Sequence, residues 1–128
     1  MPKAPQHTPC DQRALTVFLK SLEVAGGIHR LASQRQLNWL EELMESSYAI
    51  VMQDEEHKNP EEIADFLGVS PAVVYDILSA PTERATVRMF DDFTEEPMDR
   101  ESVAGGVVKL AYQEVKRESI VRPQARTA

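Results

Sequence analysis

An all-α fold is predicted by three features of the chain. Aromatic residues make up only 6% of it, so the core must be assembled from Leu, Val, Ile, Ala and Met, which suits a helical domain. Apolar residues recur at helical spacing over residues 11–24, 34–53 and 98–118. Residues 60–79, PEEIADFLGVSPAVVYDILS, read position by position as a helix-turn-helix. The expected architecture is a single compact helical domain of about five helices over residues 11–118. A mobile leader (1–10) precedes it and a polar tail (119–128) follows.

Each element has its own pattern. Asp11 is placed to cap a first helix with the stripe Leu15, Phe18, Leu19 and Leu22, and Gly26 and Gly27 then interrupt it. The second helix carries Leu37, Leu40, Leu43, Met44, Tyr48 and Val51 on one face. Trp39 and Ile50 broaden that face, so this helix is expected to pack on more than one side. Trp39, Met44 and Tyr48 therefore read as core and not as a ligand box. Residues 54–59, DEEHKN, form a charged break, and 81–97 is the least regular stretch. Within it, residues 86–90 read as a short strand or an extended linker. Val103, Val107, Leu110, Ala111, Tyr112 and Val115 define the closing helix.

The helix-turn-helix reading rests on steric reasons at particular positions. Ala64 is small enough for one helix to cross closely over the other, and Gly68 can take the left-handed conformation of a tight turn. Ile63, Leu67, Val69, Val74 and Ile77 close the small core between the helices. Ser70 stands where a cap of the second helix belongs, with Pro71 at its first position. The outward residues of that helix are then Ser70, Pro71, Ala72, Tyr75 and Asp76.

One segment recurs: Val24-Ala-Gly-Gly-Ile-His-Arg-Leu-Ala32 returns as Val103-Ala-Gly-Gly-Val-Val-Lys-Leu-Ala111. Glycines inside a helix are unfavourable by about 1 kcal/mol each relative to alanine. Their repetition predicts close packing at Gly26, Gly27, Gly105 and Gly106, either against each other or across a dimer axis. Neither copy has the spacing of a nucleotide-binding glycine motif.

The composition points away from catalysis. Cys10 is the only cysteine, and His7, His29 and His57 share no metal-ligand spacing, so neither a metal nor another cofactor is expected. The acidic run Asp91, Asp92, Glu95 and Glu96 reads as a hydrated linker, and no nucleophile elbow or phosphate loop is present in the chain. No membrane-spanning stretch appears, and a cytoplasmic protein is expected.

Charge sets the sequence against its own motif. The chain carries a net −7, and residues 60–79 contain Glu61, Glu62, Asp65 and Asp76 but no Lys or Arg. Phosphate contacts would have to come from Lys58, Arg84 and Arg88 or from a second subunit. Arg30, Arg35, Lys109, Lys116 and Arg117 would add to them if folding gathered these residues on one face.

The order VAGGIHRLA, LNWLEELMESSYAIV, NPEEIADFLGVSPAVVYDIL and VAGGVVKLAYQEVKRE resembles a group of small prokaryotic regulatory-domain proteins, one branch of which is associated with KaiC-like ATPases. The resemblance spans roughly residues 14–118 and implies a regulatory role in transcription or signalling. A more distant similarity is to the Trp-repressor-like arrangement, in which long helices make an intertwined dimer. The expected function is a DNA-binding transcriptional regulator acting as a homodimer. The alternative is an acidic interaction module that presents the same fold to a regulatory protein partner without binding DNA.

Overall fold

The computed structural model describes residues 10–33, 39–89 and 100–121. It is all-α. Among these residues seven helices follow in order: α1 (Asp11–Val24), α2 (Ile28–Ser33), α3 (Leu40–Glu56), α4 (Pro60–Leu67), α5 (Pro71–Leu78), α6 (Ala85–Met89) and α7 (Arg100–Val121). No strand occurs among them, and no helix is long and apolar enough to cross a membrane. The leader (1–9), Arg35, Leu37, the acidic run 91–96 and the tail beyond residue 121 lie outside the described residues.

Helix α7 is the axis of the molecule, packed by α1, α3, α5 and α6. Its sequence explains this position, because Val103, Ala104, Gly105, Gly106, Val107, Val108, Ala111, Tyr112 and Val115 are all buried. A helix apolar on nearly every side through its middle has to be surrounded. Helices α3 and α7 lie side by side in the same direction. Arg100 joins Glu42 at one end, and Tyr112 joins Asp54 and Glu55 at the other. Trp39, fully buried, lies beneath the Arg100 guanidinium at 4.1 Å from ring centroid to Cζ.

Four expectations are corrected. Residues 85–89 form a helical turn and not a strand, because the buried positions are Ala85 and Met89, four apart, with exposed Val87 between them. The chain enters this turn through Arg84 at φ 56. Cys10 does not belong to a mobile leader: it is the N-cap residue of α1 and is buried. Asp11 does not cap α1 either; it is the first helical residue, and its carboxylate accepts a 2.6 Å hydrogen bond from the Tyr48 hydroxyl. Met44 is 44% exposed and so is no core residue.

The two Gly-Gly segments do not pack together. Gly26 and Gly27 adopt φ 110 and 94 and end α1, with the Gly27 N–H donating to the Leu22 carbonyl at 2.8 Å. Gly105 and Gly106 lie inside α7, buried against α5 and the segment that follows it. A Cβ at Gly105 would meet the Ile77 carbonyl oxygen at 2.7 Å and the Ala80 Cβ at 2.9 Å. One at Gly106 would overlap the Pro81 carbonyl oxygen. The close approach of another segment's backbone exists at the second pair only; at Gly26 the near neighbour is the Arg30 side chain.

Candidate functional site

The α4–α5 unit is built as its residues dictate. Asn59 accepts from the Glu62 N–H at 2.8 Å, while the Glu62 carboxylate accepts from the Asn59 N–H at 3.0 Å, a reciprocal capping box. Pro60 opens α4, and Gly68 closes it at φ 74. The Gly68 and Val69 N–H groups both reach the Ala64 carbonyl, which turns the chain into α5. Ile63, Ala64, Val74 and Ile77 are buried, with Leu67 and Val69 partly so, which is the motif core expected of them. Ser70 holds the N-cap position of α5, but its side chain accepts no capping hydrogen bond.

The residues expected to face outward do so together. Ser70, Pro71, Ala72, Tyr75 and Asp76 are all exposed, and Ala72, Tyr75, Asp76 and Ser79 share one helical stripe. Tyr75, 51% exposed, donates from its hydroxyl to the Glu61 carboxylate at 3.2 Å, so it leans over the first turn of α4. The Glu61 charge, followed by that hydrogen bond, raises the Tyr75 pKa.

The cations are elsewhere. Lys58, Arg84 and Arg88 make no side-chain hydrogen bond or ion pair to the α4–α5 unit, and Lys58 and Arg84 point into solvent. Lys109 donates to the Leu78 and Ala80 carbonyls at 2.6 and 2.7 Å, closing the C-terminus of α5, and burial lowers its pKa. Lys116 pairs with Asp54 at 3.8 Å, Arg117 with Glu114, Arg13 with Glu55, and Lys20 with Glu23 and Glu118. Lys109, Lys116 and Arg117 are thus engaged within the fold and add no free charge to the α4–α5 face.

Tyr112 anchors a second polar cluster. Its single hydroxyl proton is shared between Asp54 and Glu55, the latter at 2.8 Å, and the Arg13 guanidinium lies 5.9 Å from its ring. Burial, then these two hydrogen bonds, push the phenol well above its ordinary range. The cluster ties α7 to α1 and α3. Among the described residues no group of three His, Cys, Asp or Glu side chains is arranged to hold a metal ion.

A surface groove was not anticipated from the sequence. Asp11, Ala14, Leu15, Phe18, Met44, Ser47 and Tyr48 line an open depression of about 150 Å³ between α1 and α3. Phe66 of α4 extends it, its ring centroid 5.5 Å from that of Tyr48. The Tyr48 hydroxyl bond to Asp11 holds one end of the groove, and with partial burial it pushes the phenol pKa up to about 12. The legible signal was Met44 standing between Glu41 and Glu45 on a face otherwise read as core. No family model, no curated protein and no solved structure matches the chain.

Proposed function

We propose that the protein is a non-catalytic regulatory adaptor that uses a helix-turn-helix fold to engage a protein partner, and not DNA. The observation that carries this reading is the outer face of α4 and α5. It bears Glu61, Glu62, Asp65 and Asp76, all exposed, with no Lys or Arg, and the large exposed side chain of α5, Tyr75, is tied to Glu61. Such a face repels a phosphate backbone, and a protein that neutralises no phosphates lacks the main source of DNA affinity. The sequence resemblance to regulatory-domain proteins, one branch associated with KaiC-like ATPases, agrees in class, and a regulatory ATPase is the kind of partner it implies. A cytoplasmic setting goes with this reading.

The second reading is a homodimeric DNA-binding regulator. It is favoured by one observation, the joint exposure of Ser70, Pro71, Ala72, Tyr75 and Asp76 at the start and along one stripe of α5, with Lys58, Arg84 and Arg88 as the available phosphate contacts. Titration of the protein into mixed-sequence duplex DNA at about 50 and 200 mM salt separates the two. No binding at either concentration is expected. Binding that falls steeply with salt, by a protein dimeric in light scattering, overturns the adaptor reading.

A further inference from the structure

The groove between α1 and α3 brings together apolar surface that a monomer ordinarily hides. Leu15 and Met44 are 49% and 44% exposed in its lining, Phe18 and Tyr48 supply the half-buried floor, and Phe66, 44% exposed, stands against Tyr48. Contiguous exposed apolar patches of this kind mark interaction surfaces. An adjoining depression of about 220 Å³ shares Asp11, Leu15 and Tyr48 with it, so the two form one open furrow along α1. It has the size for one or two anchoring side chains of a macromolecule. Methionine at its rim can re-pack around different anchors.

The charge around the groove selects the occupant. Glu41, Met44, Glu45 and Tyr48 fall at i, i+3, i+4 and i+7, so both carboxylates share the stripe that lines the groove. Asp11 closes the far end, and Glu62 lies one helical turn before Phe66 on α4. No Lys or Arg lines the depression. Among the described residues neither Glu41 nor Glu45 has an ion-pair partner, and the nearby Arg100 is bonded to Glu42. Burial, then Glu41, Glu42 and Glu101, raise the Glu45 pKa, as expected of a carboxylate left among its own kind.

We infer that this groove is the docking site for a basic amphipathic helix of a partner protein, with apolar anchors on the Leu15–Met44–Phe66 surface and cations on Glu41 and Glu45. The inference rests on the adaptor reading and names the partner's chemistry and its site. A helix laid in a groove uses apolar anchors at i, i+3 or i+4 and i+7, a pattern that matches an apolar furrow with one acidic rim. A second copy of this chain fits less well. A symmetric dimer through the groove would bring each acidic rim, on a chain of net −7, to the same acidic face of its partner. Anionic lipid and nucleic acid are repelled for the same reason.

The test uses the full chain and a synthetic Leu/Lys helical peptide with leucines at i, i+3, i+4 and i+7, titrated by calorimetry. Two control peptides replace every Lys by Glu or every Leu by Ser. Micromolar binding of the Leu/Lys peptide alone is expected, weakened about tenfold or more by Met44→Glu or Leu15→Glu. Glu41→Lys with Glu45→Gln should weaken it comparably and flatten its salt dependence. All four positions are exposed or half-buried, and circular dichroism verifies that each variant is folded. Equal binding of the acidic peptide, or indifference to these substitutions, overturns the proposal. So does a concentration-dependent dimer abolished by Met44→Glu, which would make a second copy the occupant. Absence of both peptide and DNA binding removes the groove assignment alone, whereas salt-dependent DNA binding removes the adaptor reading beneath it.

Discussion

The two Val-Ala-Gly-Gly segments have nearly the same sequence and opposite structures. In the first, the glycines take positive φ and end α1; in the second they are buried inside α7. The difference comes from what lies alongside. At Gly27 nothing packs against the Cβ position, and the absent side chain serves the positive φ that ends the helix. Gly105 and Gly106 face the Ile77 and Pro81 carbonyls, and the approach of α5 and the following loop is possible only because both side chains are absent. The downstream residues diverge in step. Arg30 lies over Gly26 at the surface, whereas its counterpart Lys109 reaches two carbonyls at the end of α5. Local sequence here proposes a break, and tertiary packing decides whether it occurs.

The largest expected effect comes from placing the same methyl group in both copies. Gly106→Ala should destabilise by about 2–3 kcal/mol in chemical denaturation, because overlap with the Pro81 carbonyl outweighs alanine's helix preference. Gly27→Ala should cost about 1 kcal/mol, the strain of φ 94 on a residue with a Cβ. Equal costs would mean that the two glycine pairs do not differ in the way described. The next comparison is Lys109→Met against Arg30→Met. Loss of two hydrogen bonds to carbonyls predicts about 1–2 kcal/mol for the first. Arg30, exposed at the surface, predicts a smaller loss, under about 1 kcal/mol, for the second.

The smallest effect concerns the residue after each copy, Ser33 in the first and Tyr112 in the second. Tyr112 and Tyr48 both have folded-state pKa values above the unfolded value near 10, that of Tyr48 at about 12. The folded protein therefore holds protons that the unfolded chain releases. Their stabilisation is complete below pH 10 and is lost as the pH rises, for Tyr48 through about 12. Lys109, its pKa lowered by burial, acts in the opposite sense approaching its ordinary value. The readout is thus a difference: Tyr112→Phe should flatten the alkaline loss of stability relative to wild type, and Ser33→Ala should leave it unchanged.

Much of the fold was legible because single residues have single uses. Gly68 between two apolar octets, Pro60 and Pro71 at helix starts and the spacing of Ala64, Val74 and Ile77 locate α4 and α5 without the structure. The capping box at Asn59 and Glu62 was equally readable, since Asn-Pro-Glu-Glu has the required spacing, but it was absorbed into a charged break. The turn at residues 85–89 was obscured because Thr86 and Val87 are β-branched and five residues are too few to establish a period. The groove was illegible for another reason. Apolar periodicity reports which face of α3 is hydrophobic, not whether α1 covers it completely. Met44 and Leu15 belong to core-like stripes yet remain half exposed, and only the relative placement of two helices reveals that.

The chain has one thiol, and it sits at the N-cap of α1 with 3% of its surface accessible. A reagent reaches this buried thiol at the start of α1 through local opening, so its rate of alkylation is a clock for that opening. Because Asp11 and Leu15 follow within this same stretch of helix, the clock also times the wall of the groove. A peptide seated there would slow the labelling without touching the sulfur, and would report its arrival through a site it never contacts.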